Sequence, residues 1–143
     1  MKTAVLVIGI PGSGKSWVCD QLTEFFEYVP HDRYMANSGE SYIKAILKTS
    51  LKADKPLLIE APFSISEIKD PLEERGFKIT PVFIIEKEAI VALRYRKREG
   101  KSIPPAHIKR QQTYRERAKK WKSFSGSSTA VLEHLKNLGS QTE

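Results

Sequence analysis

Residues Gly9-Ile10-Pro11-Gly12-Ser13-Gly14-Lys15-Ser16 spell G-x-x-x-x-G-K-S, and an apolar run from Thr3 to Ile8 leads straight into them. A helix-compatible stretch, Trp17 to Glu27, follows. Strand, glycine-rich turn and helix, in that order, are the context in which this motif cradles phosphates. The glycines let the backbone turn tightly enough to aim successive N–H groups at an anion, and a helix N-terminus adds its positive end. Gly9, Pro11, Gly12, Ser13 and Gly14 would form the cradle. Lys15 would reach the β- and γ-phosphates, and the Ser16 hydroxyl would ligate Mg²⁺. The expected ligand is a nucleoside triphosphate, ATP, with Mg²⁺.

The chain has 143 residues, which predicts a single domain able to bury a core without staples. With 40% apolar and 29% charged residues it has an ordinary globular composition, and no apolar run approaches membrane-spanning length. A core strand at the very start leaves no room for a signal peptide, and the one cysteine, Cys19, cannot form an internal disulfide. The expected compartment is therefore the cytoplasm. The net charge of +7 is unevenly placed: residues 87 to 122 hold thirteen Lys/Arg against three acids, so the remainder is net acidic. Such a segment fits a polyanionic partner such as nucleic acid. It also fits a solvated helical face with phosphate-handling arginines, and composition leaves both open.

Alternating strand and helix signals predict an α/β fold, a parallel sheet of four to five strands flanked by helices. Tyr28 to Asp32 reads as a second strand, and Pro56 to Glu60 as a buried third strand because its apolar run is continuous. Asp70-Pro71 looks like a helix start and Gly76 the end of that helix. Phe77 to Ile85 is a fourth strand, which Pro81 demotes toward an edge or bulge. Helices are expected from Glu88 to Arg98, from Pro104-Pro105 to about Lys122, and over about 129–138, with a polar connector at Ser123 to Ser128.

Ligands in open parallel sheets bind beyond the carboxyl ends of the strands. The phosphate loop after the first strand, Asp32 after the second and Glu60 after the third are thus expected to share one crevice. Two carboxylates facing bound ATP and Mg²⁺ suit phosphoryl transfer: Asp32 as the base that takes a hydroxyl proton, Glu60 as an acid near the metal. Arg94 and Arg98 stand four residues apart, stacked on one helix face, and could clamp the transferring phosphate from a lid at about 94–104.

These residues resemble the small P-loop kinases of the polynucleotide kinase type, especially the kinase domain of bacteriophage polynucleotide 5′-kinases. The likeness rests on G-I-P-G-S-G-K-S near the start and on His31-Asp32-Arg33-Tyr34, similar to that family's Arg-Asp-Asp-Tyr motif. It extends to Arg94 and Arg98 as lid arginines, with the same six-residue step from Arg98 to Pro104, and spans about residues 1 to 120. It implies that Asp32 is the catalytic aspartate and places Glu60 near the second acidic position. The chain departs at Met35, where the family has an arginine that helps hold the acceptor's phosphate. Related phage kinases that phosphorylate 5-hydroxymethyluracil in DNA resemble the same minimal domain.

The resulting expectation is an ATP- and Mg²⁺-dependent kinase, a phosphotransferase acting on a hydroxyl of nucleic acid, either a 5′-end or a base hydroxymethyl group, in DNA modification. Arg33, Arg110, Arg115, Lys119, Lys120 and Trp121 are the candidate strand contacts, since basic residues with an aromatic suit backbone and base. Two alternatives remain: a small-molecule nucleoside or metabolite kinase, and an ATP-regulated nucleic-acid-binding module without transferase activity.

Overall fold

The computed structural model describes residues 2–29, 39–61 and 65–141. Five strands form one parallel sheet in the order β2-β3-β1-β4-β5: β1 (Lys2–Ile8), β2 (Glu27–Val29), β3 (Leu57–Ala61), β4 (Phe77–Ile84) and β5 (Phe124–Gly126). Six helices connect them: α1 (Lys15–Asp20), α2 (Gly39–Ser50), α3 (Ile65–Glu74), α4 (Glu88–Glu99), α5 (Pro105–Lys120) and α6 (Ser128–Gln141).

The period of two along each strand sorts the core into two layers. Ala4, Leu6, Ile8, Leu57, Ile59 and Phe83 face a layer with Tyr42 and Ile46 of α2, Ile68 and Leu72 of α3, Val91 of α4, and Tyr114 and Ala118 of α5. Val5, Val7, Leu58, Val82 and Ile84 face the other layer, with Val18 and Cys19 of α1 and Val131, Leu132 and Leu135 of α6. Cys19 is fully buried there, and burial pushes its thiol well above the usual range, so it stays protonated. Ala4 through Ile8 are all 0% exposed. At about 1.5–3 kcal/mol for each buried Val, Leu or Ile side chain, the central strand gives the loop after it a rigid base.

Four elements differ from their sequence signals. Helix α1 spans six residues rather than the eleven of Trp17–Glu27. Tight turns take over where Phe25 and Phe26 N–H groups both donate to the Leu22 carbonyl, which lets Leu22 and Phe26 bury together. Pro71 lies inside α3 rather than at its start. Ile68 and Leu72, one turn apart, are buried in the same layer, and that burial outweighs the proline's missing N–H. Strand β4 is not an edge: β1 flanks it along its length, while β5 covers only Val82 to Ile84. Pro81 sits just before that covered stretch, where no outer neighbour needs its N–H. The connector 123–128 contains β5 itself, three residues that carry no apolar period.

Candidate active site

The loop between β1 and α1 needs glycine at particular places. Gly12 and Gly14 have φ of 88° and 103°, which side chains other than glycine's rarely tolerate. A Cβ on Gly9 would stand 2.4 Å from Ser13 Oγ, so the loop could not close over that hydroxyl. Ser13 is fully buried, and its Oγ has no hydrogen-bond partner among the described residues. Lys15, the first residue of α1, folds its Nζ back to donate to the Gly9 carbonyl. The far wall of the loop is α4: a Cβ on Gly12 would lie 3.0 Å from the Val91 carbonyl oxygen.

Register then decides which acid meets this loop. Val7 of β1 pairs with Glu60 of β3, and both belong to the set of side chains that face α1. Glu60 is 3% exposed, and its Oε1 accepts a hydrogen bond from Ser16 Oγ at 3.1 Å. The sequence-predicted metal pair, Ser16 and Glu60, is therefore brought together.

Two tyrosines hold Glu60, and neither was a candidate from sequence. Tyr28, on β2 and the same face, donates its hydroxyl to Glu60 Oε1. Burial first, and the neighbouring Glu60 carboxylate second, push the Tyr28 phenol far above its ordinary value, so it remains a donor. From the other layer, the single Tyr42 hydroxyl proton lies between the carbonyls of Val29 (2.8 Å) and Glu60 (3.0 Å), and the hydroxyl oxygen accepts from the Glu60 N–H (3.1 Å). Its hydroxyl thus bridges β2 and β3 just where their paired register ends at Val29 and Ile59.

Of the two stacked arginines, only Arg94 reaches the loop. Its Nη1 donates to the Ser13 carbonyl at 3.1 Å and lies 3.9 Å from Glu86 Oε1. Arg98 is one turn further from the loop contact, more than half exposed, paired with Glu99 at 3.1 Å and set over the Tyr95 ring. Helix α4 then stops at Gly100, whose positive φ allows its N–H to cap the Arg96 carbonyl at 2.8 Å. Asp32, Arg33 and Met35 lie outside the described residues.

Glu86 is a second acid that sequence reading missed. Two residues past Ile84, it is 6% exposed and accepts from the Ser128 N–H (2.6 Å) and hydroxyl (2.8 Å) at the start of α6. A signal existed: β3 and β4 both run through apolar residues into a glutamate, and strand parity sends both acids toward the α1–α6 layer.

The basic candidates on α5 do not share a face. Gln111, Tyr114 and Ala118 are its buried stripe. At about 100° per residue, Arg110 and Arg115 flank that stripe on opposite sides, with Lys119 beyond Arg115. Lys109, Arg110, Thr113 and Arg117 line a groove of about 420 Å³, whereas Arg115 turns to Gln112 at 2.6 Å. Trp121 is 42% exposed, with its ring centroid 6.0 Å from that of Phe83 and 5.5 Å from the Arg117 guanidinium. In the first turn of α5, His107 is held below its ordinary value by burial first and then by the positive charges of Arg110 and Lys15.

No protein-family model matches the chain, and no curated protein matches it. Solved structures do. A gluconokinase from Sinorhizobium meliloti 1021 is 21% identical with a TM-score of 0.56, over 99% of this chain and 98% of that one. The Deinococcus radiodurans tunicamycin resistance protein is 16% identical with a TM-score of 0.57, over 96% and 95%. Shikimate kinase from Acinetobacter baumannii, in complex with shikimate, is 10% identical with a TM-score of 0.56, over 100% and 96%. Among the described residues no helix is long and apolar enough to cross a membrane. Identities this low speak to architecture alone, and on that level the sheet order, the Gly9–Ser16 loop and these likenesses agree: the chain has the α/β fold of the P-loop kinases.

Proposed function

We propose that this protein is a phosphotransferase that uses Mg²⁺ and ATP to phosphorylate a hydroxyl group. The observation that carries this reading is the Ser16 hydroxyl set 3.1 Å from the buried Glu60 carboxylate, directly after a loop of phosphate-binding sequence. The residues fit the ligands. A hydroxyl and a carboxylate are the hard oxygen donors that Mg²⁺ takes, and Ser16 and Glu60 would hold it together with nucleotide phosphates and water. The orphaned Ser13 hydroxyl and the Cβ-free space at Gly9 mark a loop shaped by its backbone. Because α1 has only six residues, phosphate binding rests on the loop amides and Lys15 more than on a long helix dipole.

When bound, Mg²⁺ would offset the negative charge of the transferring group. Lys15 supplies a positive charge to the phosphates. Arg94, already at the loop, turns its guanidinium to them, and Arg98 joins if the segment from 94 to 104 closes as a lid. Asp32 takes the proton of the attacking hydroxyl. Its replacement by Asn should cut turnover at least about 10²-fold while ATP affinity stays within about threefold, because a base acts only as the proton leaves. Turnover of Asp32→Asn near the wild-type rate would remove Asp32 from the mechanism.

The acceptor favoured is a small hydroxylated molecule. The structural likenesses include a gluconokinase and a shikimate kinase, and the basic residues expected to track a strand are split between faces of α5. A nucleic-acid acceptor is the second reading, favoured by the groove of Lys109, Arg110 and Arg117. Labelled ATP offered with gluconate, shikimate, free nucleosides, 5′-hydroxyl oligonucleotides and hydroxymethylated duplexes separates them. The expected product is a small phosphate ester formed with little salt dependence. Label on DNA, lost steeply as salt rises, would replace the first reading with the second. No labelled product from any acceptor would overturn the kinase reading.

A further inference from the structure

Glu86 belongs to no motif, yet three distant segments meet on it. Its carboxylate is fixed by Ser128 through two short hydrogen bonds, 2.6 Å and 2.8 Å. Its backbone is clamped by the Gln111 side chain, whose Oε1 accepts from Glu86 N (3.3 Å) and whose Nε2 donates to Glu86 O (3.0 Å). The phosphate loop closes the knot. A Cβ on Gly14 would stand 3.2 Å from Ser128 Cβ and 3.3 Å from Arg94 Nη1.

Capping α6 accounts for this acid only in part, through the Ser128 N–H that its Oε1 accepts at 2.6 Å. Ser127 already caps that helix, its Oγ accepting from Ala130 N at 3.2 Å and its carbonyl from Val131 N at 2.9 Å. What the carboxylate adds is a fixed negative charge beside Arg94. At 3.9 Å it makes no hydrogen bond to Nη1, which donates instead to the Ser13 carbonyl. The guanidinium is thus drawn inward by charge and oriented by a loop carbonyl, with 43% of its side-chain surface still open to solvent.

We propose that Glu86 is a positioning residue for phosphoryl transfer: held by Ser128 and Gln111, it sets the orientation in which Arg94 meets the phosphates at the Gly9–Ser16 loop. The proposal rests on the kinase reading given above. Arg94 is the one member of the knot free to exchange its partner for a phosphate, and Glu86 restricts where it starts from.

Glu86→Gln tests this, because glutamine can still accept both Ser128 hydrogen bonds while the charge facing Arg94 is gone. The expected result is a fall of about tenfold in kcat/KM for ATP and a rise of about threefold in the Mg²⁺–ATP dissociation constant by calorimetry. In an Arg94→Ala background the same substitution should change neither by more than about twofold, since the group it acts through is absent. Equal losses in both backgrounds, or no loss in either, overturn the proposal. If Glu86→Gln does not fold, Ser128→Ala, which loosens the carboxylate by one hydrogen bond, is run through the same cycle with the same criteria. Should wild-type protein phosphorylate nothing, the kinase reading fails. Coupling in the dissociation constants then still supports Glu86 acting on Arg94 at the phosphates, and its absence defeats that too.

Discussion

Replacing Lys15 with methionine should lower turnover by at least about 10³-fold while the protein keeps its fold. Methionine preserves most of the side-chain length and has nearly the same helix propensity as lysine, so α1 loses little. What disappears is a full positive charge at the loop. One neutral donor aimed at developing charge is worth about 10²–10³ in rate, and a cation shared between two phosphates exceeds that. Denaturant unfolding should give a midpoint close to wild type. A variant retaining more than about a tenth of wild-type turnover would take Lys15 out of the phosphate site. The substitution has a second readout, independent of activity. Lys15 is one of the cations that hold His107 below its ordinary value, after burial and Arg110. In Lys15→Met the His107 titration, followed by NMR, should move upward, because a charge opposing protonation has gone. An unmoved His107 would show that the Lys15 charge does not bear on its protonation.

How much of this site could be read from sequence depends on whether neighbours in space are set by local periods. The loop was legible because its glycines and Lys15-Ser16 are contiguous, and because an uninterrupted apolar run marks β1 as a central parallel strand. Glu60 was legible as a position, since it ends a second such run; that it faces α1 follows from register with Val7, which only the sheet order supplies. Helical spacing stacked Arg94 on Arg98 without saying which end of α4 touches the loop. The close approach of Gly12 to Val91 answers that in favour of Arg94. The same limit explains α5, where composition counts basic residues but only the buried stripe of Gln111, Tyr114 and Ala118 shows which of them share a side. Glu86, Tyr28 and Tyr42 escaped because each is hydrogen-bonded to a partner at least 18 positions away in the chain. Strand β5 escaped for another reason: Phe124-Ser125-Gly126 gains its identity only by pairing with β4.

Glu60 offers the sharpest separation of chemistry from architecture, because two substitutions should divide its roles. Glu60→Gln keeps the shape, and its Oε1 can still accept from Ser16 and Tyr28, so stability should stay within about 1 kcal/mol of wild type. The charge that the proposed function sets near Mg²⁺ is lost. Turnover at fixed Mg²⁺ should fall about 10²-fold or more, with part of the loss recovered as Mg²⁺ is raised. Glu60→Ala should lose turnover at least as severely and also unfold more easily, by about 2–4 kcal/mol. The Tyr28 hydroxyl and Ser16 lose their acceptor, and a cavity opens between β3 and α1. Tyr42 is bound to the backbone of residue 60, so the β2–β3 bridge should survive both changes. Urea midpoints and Mg²⁺ titrations of turnover on the two variants give the comparison. If Glu60→Gln matched wild type in both rate and Mg²⁺ dependence, the carboxylate would be a structural acceptor for Tyr28 and nothing more. If Glu60→Ala were as stable as Glu60→Gln, the tyrosine would not depend on it either.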